Sequence, residues 1–269
     1  MSAHGGVVLI TGASSGIGAC CAAHLAKNGH RVYGGARGAV AAPGVEPLTL
    51  DVADDSSVAR AVETIVAREG RLDILVNNAG FGIAGAIEDT SIDEAREQFE
   101  VNCFGVLRVC RAVLPVMRKQ KSGYIVNIGS IGGLIAIPFQ GFYSASKFAL
   151  EGFSESLRLE VRPFGIHVVL LEPGDHRTGF TQNRRSTRGS AEGSVYRDRF
   201  ERAVARMAAD EQTGPSPEGI AELLHRVLKN PNPRLRYTAG PPAQRAAVWI
   251  KRTMPYALME KIMHDYYSR

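Results

Sequence analysis

Cysteine is sparse in this chain and badly spaced for a metal. Cys20, Cys21, Cys103 and Cys110 form no Cys-x-x-Cys pair, and no nearby histidine completes a zinc spacing. Buried thiols in a reducing compartment account for them. Long apolar runs are missing as well, since none approaches the ~18 residues of a membrane span. The first residues lack the charged start and apolar run of a signal peptide, so a cytoplasmic location is expected. Basic clusters are equally thin. The net charge is +5, yet Lys and Arg are dispersed, with Arg184, Arg185 and Arg188 the densest group. No nucleic-acid stripe is indicated, and an anionic cofactor is sufficient use for one or two of these charges. What remains is an ordinary globular composition, 45% hydrophobic and 22% charged over 269 residues, enough for one large domain or two small ones.

Val7-Val8-Leu9-Ile10 is a fully apolar run, as suits a parallel strand buried on both faces. Thr11-Gly12-Ala13-Ser14-Ser15-Gly16-Ile17-Gly18 follows at once, and Ala19 to Asn28 reads as a helix closed by Gly29. Strand, glycine-rich turn and helix are the setting in which a backbone cradles a pyrophosphate, because glycines permit close approach and the helix N-terminus receives the charge. A merely tight turn would also carry glycines; placement after a buried strand favours nucleotide binding. Arg31 to Ala36 is expected as the second strand. An NAD site would place a carboxylate about 20 residues beyond the glycines, to grip a ribose hydroxyl. Here Ala36 and Arg37 stand at that point, and no acid follows until Glu46. Arginine pairs well with a 2′-phosphate, so NADP is favoured over NAD.

Further strands are expected at Leu48 to Val52, Leu72 to Val76, Gly123 to Ile128 and Ile166 to Leu171. Helical patterns lie between them, over 56–68, 92–118 and from Tyr143 to about Val161. This alternation implies a doubly wound parallel sheet. Ligands of such sheets bind beyond the carboxyl ends of the strands, which places Asn77-Asn78-Ala79-Gly80 and Gly129-Ser130 at a crevice. Asn102 falls in an apolar helical stretch, where a buried amide must find partners. It either braces neighbouring backbone or holds a water beside a lysine. Tyr143-Ser144-Ala145-Ser146-Lys147 puts a phenol and an ammonium one turn apart on a helix face. An ordinary phenol has a pKa of about 10, and a nearby ammonium draws it towards the range useful for acid/base catalysis. Alone, the spacing equally describes two residues on a solvated helix face.

In order and spacing, Thr11-Gly12-x-x-x-Gly16-x-Gly18, Asp51, Asn77-Asn78-Ala79-Gly80, Asn102, Ser130, Tyr143-x-x-x-Lys147 and Pro173-Gly174 resemble the short-chain dehydrogenase/reductase family. The resemblance implies a single-domain α/β Rossmann fold over residues 1–269, with a seven-stranded parallel sheet and helices on both faces. Arg236 to Ala239 falls where the family completes its sheet. The resemblance implies that Tyr143 is the general acid or base and that Ser130 orients a substrate carbonyl. Lys147 would bind the nicotinamide ribose and lower the tyrosine pKa, and Asn102 would position a proton-relay water. The family meets ribose and pyrophosphate at Gly12, Ser14, Ser15, Gly16, Ile17 and Gly18. Asp51 and Val52 fall beside the adenine, and Asn78, Ala79 and Gly80 near the adenosine ribose. Pro173, Gly174 and Thr178 match positions at the carboxamide, and Arg37 the basic position of NADP-preferring members. No metal is implied, because tyrosine and serine polarise the substrate.

Residues 175–217 correspond to a substrate lid. Within it, Asn183 to Ser190 is polar and basic, and is expected as a flexible surface segment that either is solvated or meets an anionic group on the substrate. Helices are expected over 195–209 and 218–228. The extension 241–269 carries Trp249, Ile250, Met254, Tyr256, Leu258, Met259, Ile262, Met263, Tyr266 and Tyr267. Packing on the domain is the first reading, with a greasy lid or peripheral membrane contact the alternatives. Ile131 to Phe139 gives the expected pocket an apolar wall, which suits a steroid-like, retinoid-like or long-chain ketone. An NADPH-dependent carbonyl reductase is therefore the first expectation, ahead of an oxidative alcohol dehydrogenase and a non-catalytic NADP(H)-binding regulator. An epimerase or dehydratase is weaker still, for want of a large substrate domain. Family members usually pair through the Asn102 and Tyr143 helices, so a homodimer or homotetramer is expected.

Overall fold

A computed structural model describes residues 5–191, 193–251 and 253–268. In chain order it has β1 (Val7–Thr11), α1 (Gly16–Lys27), β2 (Arg31–Ala36), β3 (Val45–Thr49), α2 (Asp55–Glu69), β4 (Ile74–Asn77) and β5 (Ile83–Ala84). Then come α3 (Ile92–Phe99), a π-helical turn (Glu100–Phe104), α4 (Gly105–Gln120), β6 (Gly123–Ile128), α5 (Gly141–Val161) and β7 (Ile166–Pro173). The remainder is α6 (Phe180–Asn183), β8 (Arg185–Ser186), α7 (Arg197–Thr213), α8 (Glu218–Leu228), β9 (Arg236–Ala239), α9 (Pro242–Lys251) and α10 (Tyr256–Ser268).

Seven strands form one parallel sheet in the order β3-β2-β1-β4-β6-β7-β9. The chain winds outward from β1 in one direction, then restarts at β4 in the other, so the crevice opens beyond the ends of β1 and β4. Apolar strands without alternation need cover on both faces. One face packs on α2, α4 and α5 through residues such as Leu9, Leu75, Val109 and Leu150. The opposite face packs on α1 and α8 through Ile10, Val76, Leu25 and Leu224. At about 25 cal/mol per Å² of apolar surface, these two layers are the main source of stability. No helix among the described residues is long and apolar enough to cross a membrane.

Three expectations shift. The third strand covers Val45–Thr49 rather than Leu48 to Val52, because β2 ends at Ala36 and the register Val32↔Val45 to Ala36↔Thr49 exhausts its pairing. Leu50 donates one last hydrogen bond to Ala36 at 2.9 Å, and Asp51 then turns to accept from the Ala53 amide at 2.9 Å. The helix expected over 92–118 runs on to Gln120 but widens into the π turn at Asn102. Such turns often occur at functional sites.

The third shift is a correction. Asn183 to Ser190 is not a loose surface segment. Arg185–Ser186 pairs in parallel with Ile83–Ala84, and the Arg188 amide donates to Glu94 Oε1 at 2.9 Å. The buried Thr187 and Ser190 hydroxyls lie 2.7 Å apart, and Arg184 forms a buried ion pair with Glu211. Polar side chains here are ordered by one another, which composition cannot reveal.

Candidate active site

The floor of the crevice is made by main chain in contact with main chain. Thr11 Oγ1 accepts from the amides of Asn78 and Ala79, both at 3.0 Å, and the Asn78 side chain donates to the Thr11 and Gly12 carbonyls, each at 3.0 Å. The turns after β1 and β4 are thereby locked together. Gly12 has φ +68°, and a β-carbon on it would lie 2.8 Å from Ala79 Cα. On Gly18 a β-carbon would run into the Gly12 carbonyl and the Asn78 amide. These are close approaches that only glycine allows.

Helix α1 begins without a side-chain cap at Ser15 and without an acid in its first turn. Its leading amides are therefore unsatisfied donors at a positive helix end, lined up beside Ser14, Gly16 and Ile17 on the crevice wall. That arrangement fits an anionic pyrophosphate. Arg37, Asp51 and Val52 line the same wall, with Ala79 and Gly80 opposite. Among the described residues no ion pair engages Arg37. Thr178, from the segment after β7, reaches over the turn to within 3.5 Å of where a Gly16 β-carbon would be. Pro173 and Gly174 line the crevice too, and Gly174 is tied to β9 by its amide donating to Ala239 O at 2.7 Å.

Ser130, Tyr143 and Lys147 converge where this crevice meets an apolar pocket, in one continuous cavity of about 970 Å³. The Ser130 hydroxyl accepts from the Gly132 amide at 3.0 Å and lies near enough to the Tyr143 phenol to oppose the rise of its pKa. Lys147 Nζ lies 6.0 Å from the Tyr143 ring centroid and donates to Ile128 O at 2.8 Å. Burial pushes the phenol up to about 12 despite Ser130, with Glu211 and Asp175 adding to the rise and Arg184 opposing it. Burial also draws the Lys147 ammonium down to about 8, against the charge of Glu151. Desolvation outweighs an ammonium that is turned towards a carbonyl.

Asn102 and Gly18 do not face the cavity. The Asn102 side chain accepts from the Phe81 amide at 3.1 Å and donates to Phe81 O at 3.0 Å and Ser146 Oγ at 3.2 Å. Of the two readings open for it, the bracing one describes its side chain. Ser146 in turn donates to the Tyr143 carbonyl at 2.7 Å, so this brace supports the turn that carries the phenol.

The substrate side is apolar along Ile131, Ile135 and Ile137, as expected, and is roofed by Phe180, Ile262, Met263, Tyr266 and Tyr267. The Phe180 ring stands 5.6 Å from that of Tyr143. The C-terminal extension therefore packs on Ile131 and Ile135 through Val248 and Met259 and also closes the pocket, while Trp249 and Tyr256 remain exposed. Arg185 lines the cavity with its guanidinium 4.3 Å from the Phe81 ring and 2.8 Å from Glu97. Sequence reasoning passed over Asp175, Thr181, Glu211 and Gln244. Thr181 and Arg184 hold Glu211, and Gln244 holds Asp175, and Glu211, Arg184 and Asp175 all act on the Tyr143 phenol. Their only signal was position after Pro173-Gly174, since their partners are distant in sequence.

The sequence model of the short chain dehydrogenase family matches residues 6–189. A 3-ketodihydrosphingosine reductase of Bacteroides thetaiotaomicron is 43% identical over 263 residues, spanning 97% of this chain and 98% of the relative. The 17-beta-hydroxysteroid dehydrogenase type 1 of Homo sapiens is 39% identical over 255 residues, spanning 86% of this chain and 76% of the relative. The solved structure of a short-chain dehydrogenase from Streptomyces avermitilis matches with TM-score 0.84 and 34% identity, covering 98% of both chains. With a glycine-built cradle and a serine–tyrosine–lysine group at its end, the chain belongs to the short-chain dehydrogenase/reductase family, oxidoreductases that work with a nicotinamide cofactor.

Proposed function

We propose that the protein is an NADPH-dependent reductase of hydrophobic ketones, with the ketone of a long-chain base as the leading substrate. The observation that carries this reading is the meeting of Ser130, Tyr143 and Lys147 at the junction of a phosphate-fitting crevice and an apolar pocket. A protonated Tyr143 phenol can donate to a carbonyl oxygen, and in the reverse direction its phenolate can accept a proton, so the cofactor ratio sets the net direction. The name of the Bacteroides relative supports a sphingoid ketone, and that of the human relative a steroid, within the same lipophilic class.

Bound NADPH supplies the hydride. The amides of α1, with Ser14 and Ser15, hold its pyrophosphate, Arg37 its 2′-phosphate and Lys147 the ribose. Ser130 and Tyr143 donate hydrogen bonds to the substrate carbonyl oxygen and so stabilise the charge that develops there. Tyr143 then gives its proton to that oxygen, and the Lys147 ammonium offsets the phenolate left behind. Asn102 keeps the Tyr143 turn in place through Ser146. In this reading the enzyme is cytoplasmic and pairs through the π-helical turn, α4 and α5, where exposed Phe104, Leu107 and Phe148 support a dimer or tetramer measurable by sedimentation.

Purified protein is expected to oxidise NADPH with 3-ketodihydrosphingosine faster than with a 17-ketosteroid. Tyr143→Phe should lower turnover about 10³-fold, the scale of general acid catalysis, with NADPH affinity nearly unchanged. NADPH binding without turnover across long-chain ketones, steroids and retinoids would make the protein a binder rather than an enzyme.

A further inference from the structure

Tyr143, Lys147, Glu151 and Glu155 recur at every fourth residue of α5 and therefore share one helix face. The first three are 8%, 7% and 7% exposed, whereas the Glu155 side chain is 55% exposed. A buried carboxylate one turn beyond a buried ammonium is costly unless the two stabilise each other. Glu151 Oε2 is held by Arg236 Nε at 2.7 Å, while Oε1 is buried with no hydrogen-bond partner among the described residues. A β-carbon built on Gly129 would sit 3.5 Å from that oxygen, and Gly129 itself lines the cavity. The free oxygen therefore lies just beneath the cavity floor, between β6 and the helix that carries Lys147.

We propose that Glu151 is a positioning residue for the reaction, whose free carboxylate oxygen keeps the buried Lys147 ammonium charged while Arg236 fixes the carboxylate from behind. The inference rests on the reading of Lys147 as the group that offsets the Tyr143 phenolate. Glu151 is the neighbour that acts on the ammonium and opposes its loss of charge by burial. Arg236 does not cancel it, because that one guanidinium is shared among Glu151, Glu155 and, at 3.5 Å, Glu172 on β7. From the cavity side Asp175, Glu211 and Arg184 act on the phenol, and Arg37, Asp51, Glu97, Arg185 and Asp210 also line the cavity.

Lysine side-chain nitrogen titration by NMR on the cofactor-free protein tests this, with the Lys147 signal assigned by its loss in Lys147→Met. Glu151→Gln is expected to lower the Lys147 midpoint by about one unit or more, the usual effect of removing an adjacent opposite charge. Glu155→Gln removes an exposed carboxylate from the same arginine and should leave it within about 0.3 unit, as expected of a solvent-screened charge. Coupling is reciprocal, so Lys147→Met should raise the carbon-detected Glu151 midpoint by a matching amount. An unmoved Lys147 in Glu151→Gln, or an equal shift in Glu155→Gln, overturns the proposal. Should Glu151→Gln not fold, an unmoved Glu151 in Lys147→Met overturns it. In turnover, the alkaline limb of the pH profile should move with the NMR midpoint rather than all rates falling together. The NMR shifts without ketone turnover in any variant would support the coupling and sink the reductase reading.

Discussion

Residues 7–80 shape their side of the cavity with main-chain atoms, whereas residues 174–267 shape theirs with side chains that hold one another. On the first side, Gly12 lies against Ala79, Gly18 against Gly12, and Thr11 and Asn78 bond backbone on both turns. On the second, Glu211 depends on Thr181 and Arg184, Asp175 on Gln244, and Thr187 on Ser190. A cofactor shared by a whole family is well served by a cradle that side-chain variation cannot reach. A substrate that differs among members is met by replaceable groups.

The comparison breaks most sharply at Gly18. Gly18→Ala would drive a methyl into the Gly12 carbonyl, and neither backbone has room to retreat. A loss of about 3 kcal/mol in urea unfolding is expected, the upper range of overpacking, together with loss of NADPH binding. A variant as stable as the parent would show that the two turns are not rigid. Arg37→Ala tests the side chain proposed to choose the dinucleotide on that backbone-built side. Loss of a charged hydrogen bond to a 2′-phosphate should weaken NADPH roughly 30-fold and leave NADH unchanged, read by fluorescence titration. Equal losses for both cofactors would remove Arg37 from the 2′-phosphate site.

The same contrast explains how far the sequence could be read. Buried strands, glycine turns and the Tyr143–Lys147 spacing are local patterns, and backbone geometry turns them directly into position. The edge of β3 was misplaced because its end depends on the length of β2, a non-local partner. Asn102 was legible as a buried amide, but not its choice of Phe81 and Ser146 as partners. How deeply the phenol is buried and where Lys147 Nζ turns are not written in a four-residue spacing. Arg184, Asn183 and Thr187 read as solvated because their composition is polar. The partners of Arg184, Arg188 and Thr187 are Glu211, Glu94 and Ala84, which lie on other segments and are joined only once the chain is folded.

The smallest effect is expected within the lid, and its sign is informative. Burial raises the pKa of both Glu211 and Asp175, and for Glu211 it does so despite Thr181 and Arg184. A carboxyl whose folded pKa lies above its unfolded value favours folding when protonated. That contribution is complete below the ordinary carboxylate range and is lost as pH rises through the raised folded values. Folding stability should therefore decline from these two groups as pH rises above about 4.5, the ordinary value for glutamate. Glu211→Gln keeps the shape and the hydrogen-bonding oxygen but never acquires the charge. At neutral pH it should cost less than about 1 kcal/mol, although it breaks a buried ion pair, because much of the attraction to Arg184 is already spent on desolvation. Urea unfolding across a pH series should show a shallower decline than the parent, with Asp175 supplying what remains. A cost of about 3 kcal/mol or more at neutral pH is the ordinary penalty for stranding one partner of a buried pair. That result would make the Arg184–Glu211 pair a true prop of the lid, and the two sides of the cavity would differ less than their construction implies.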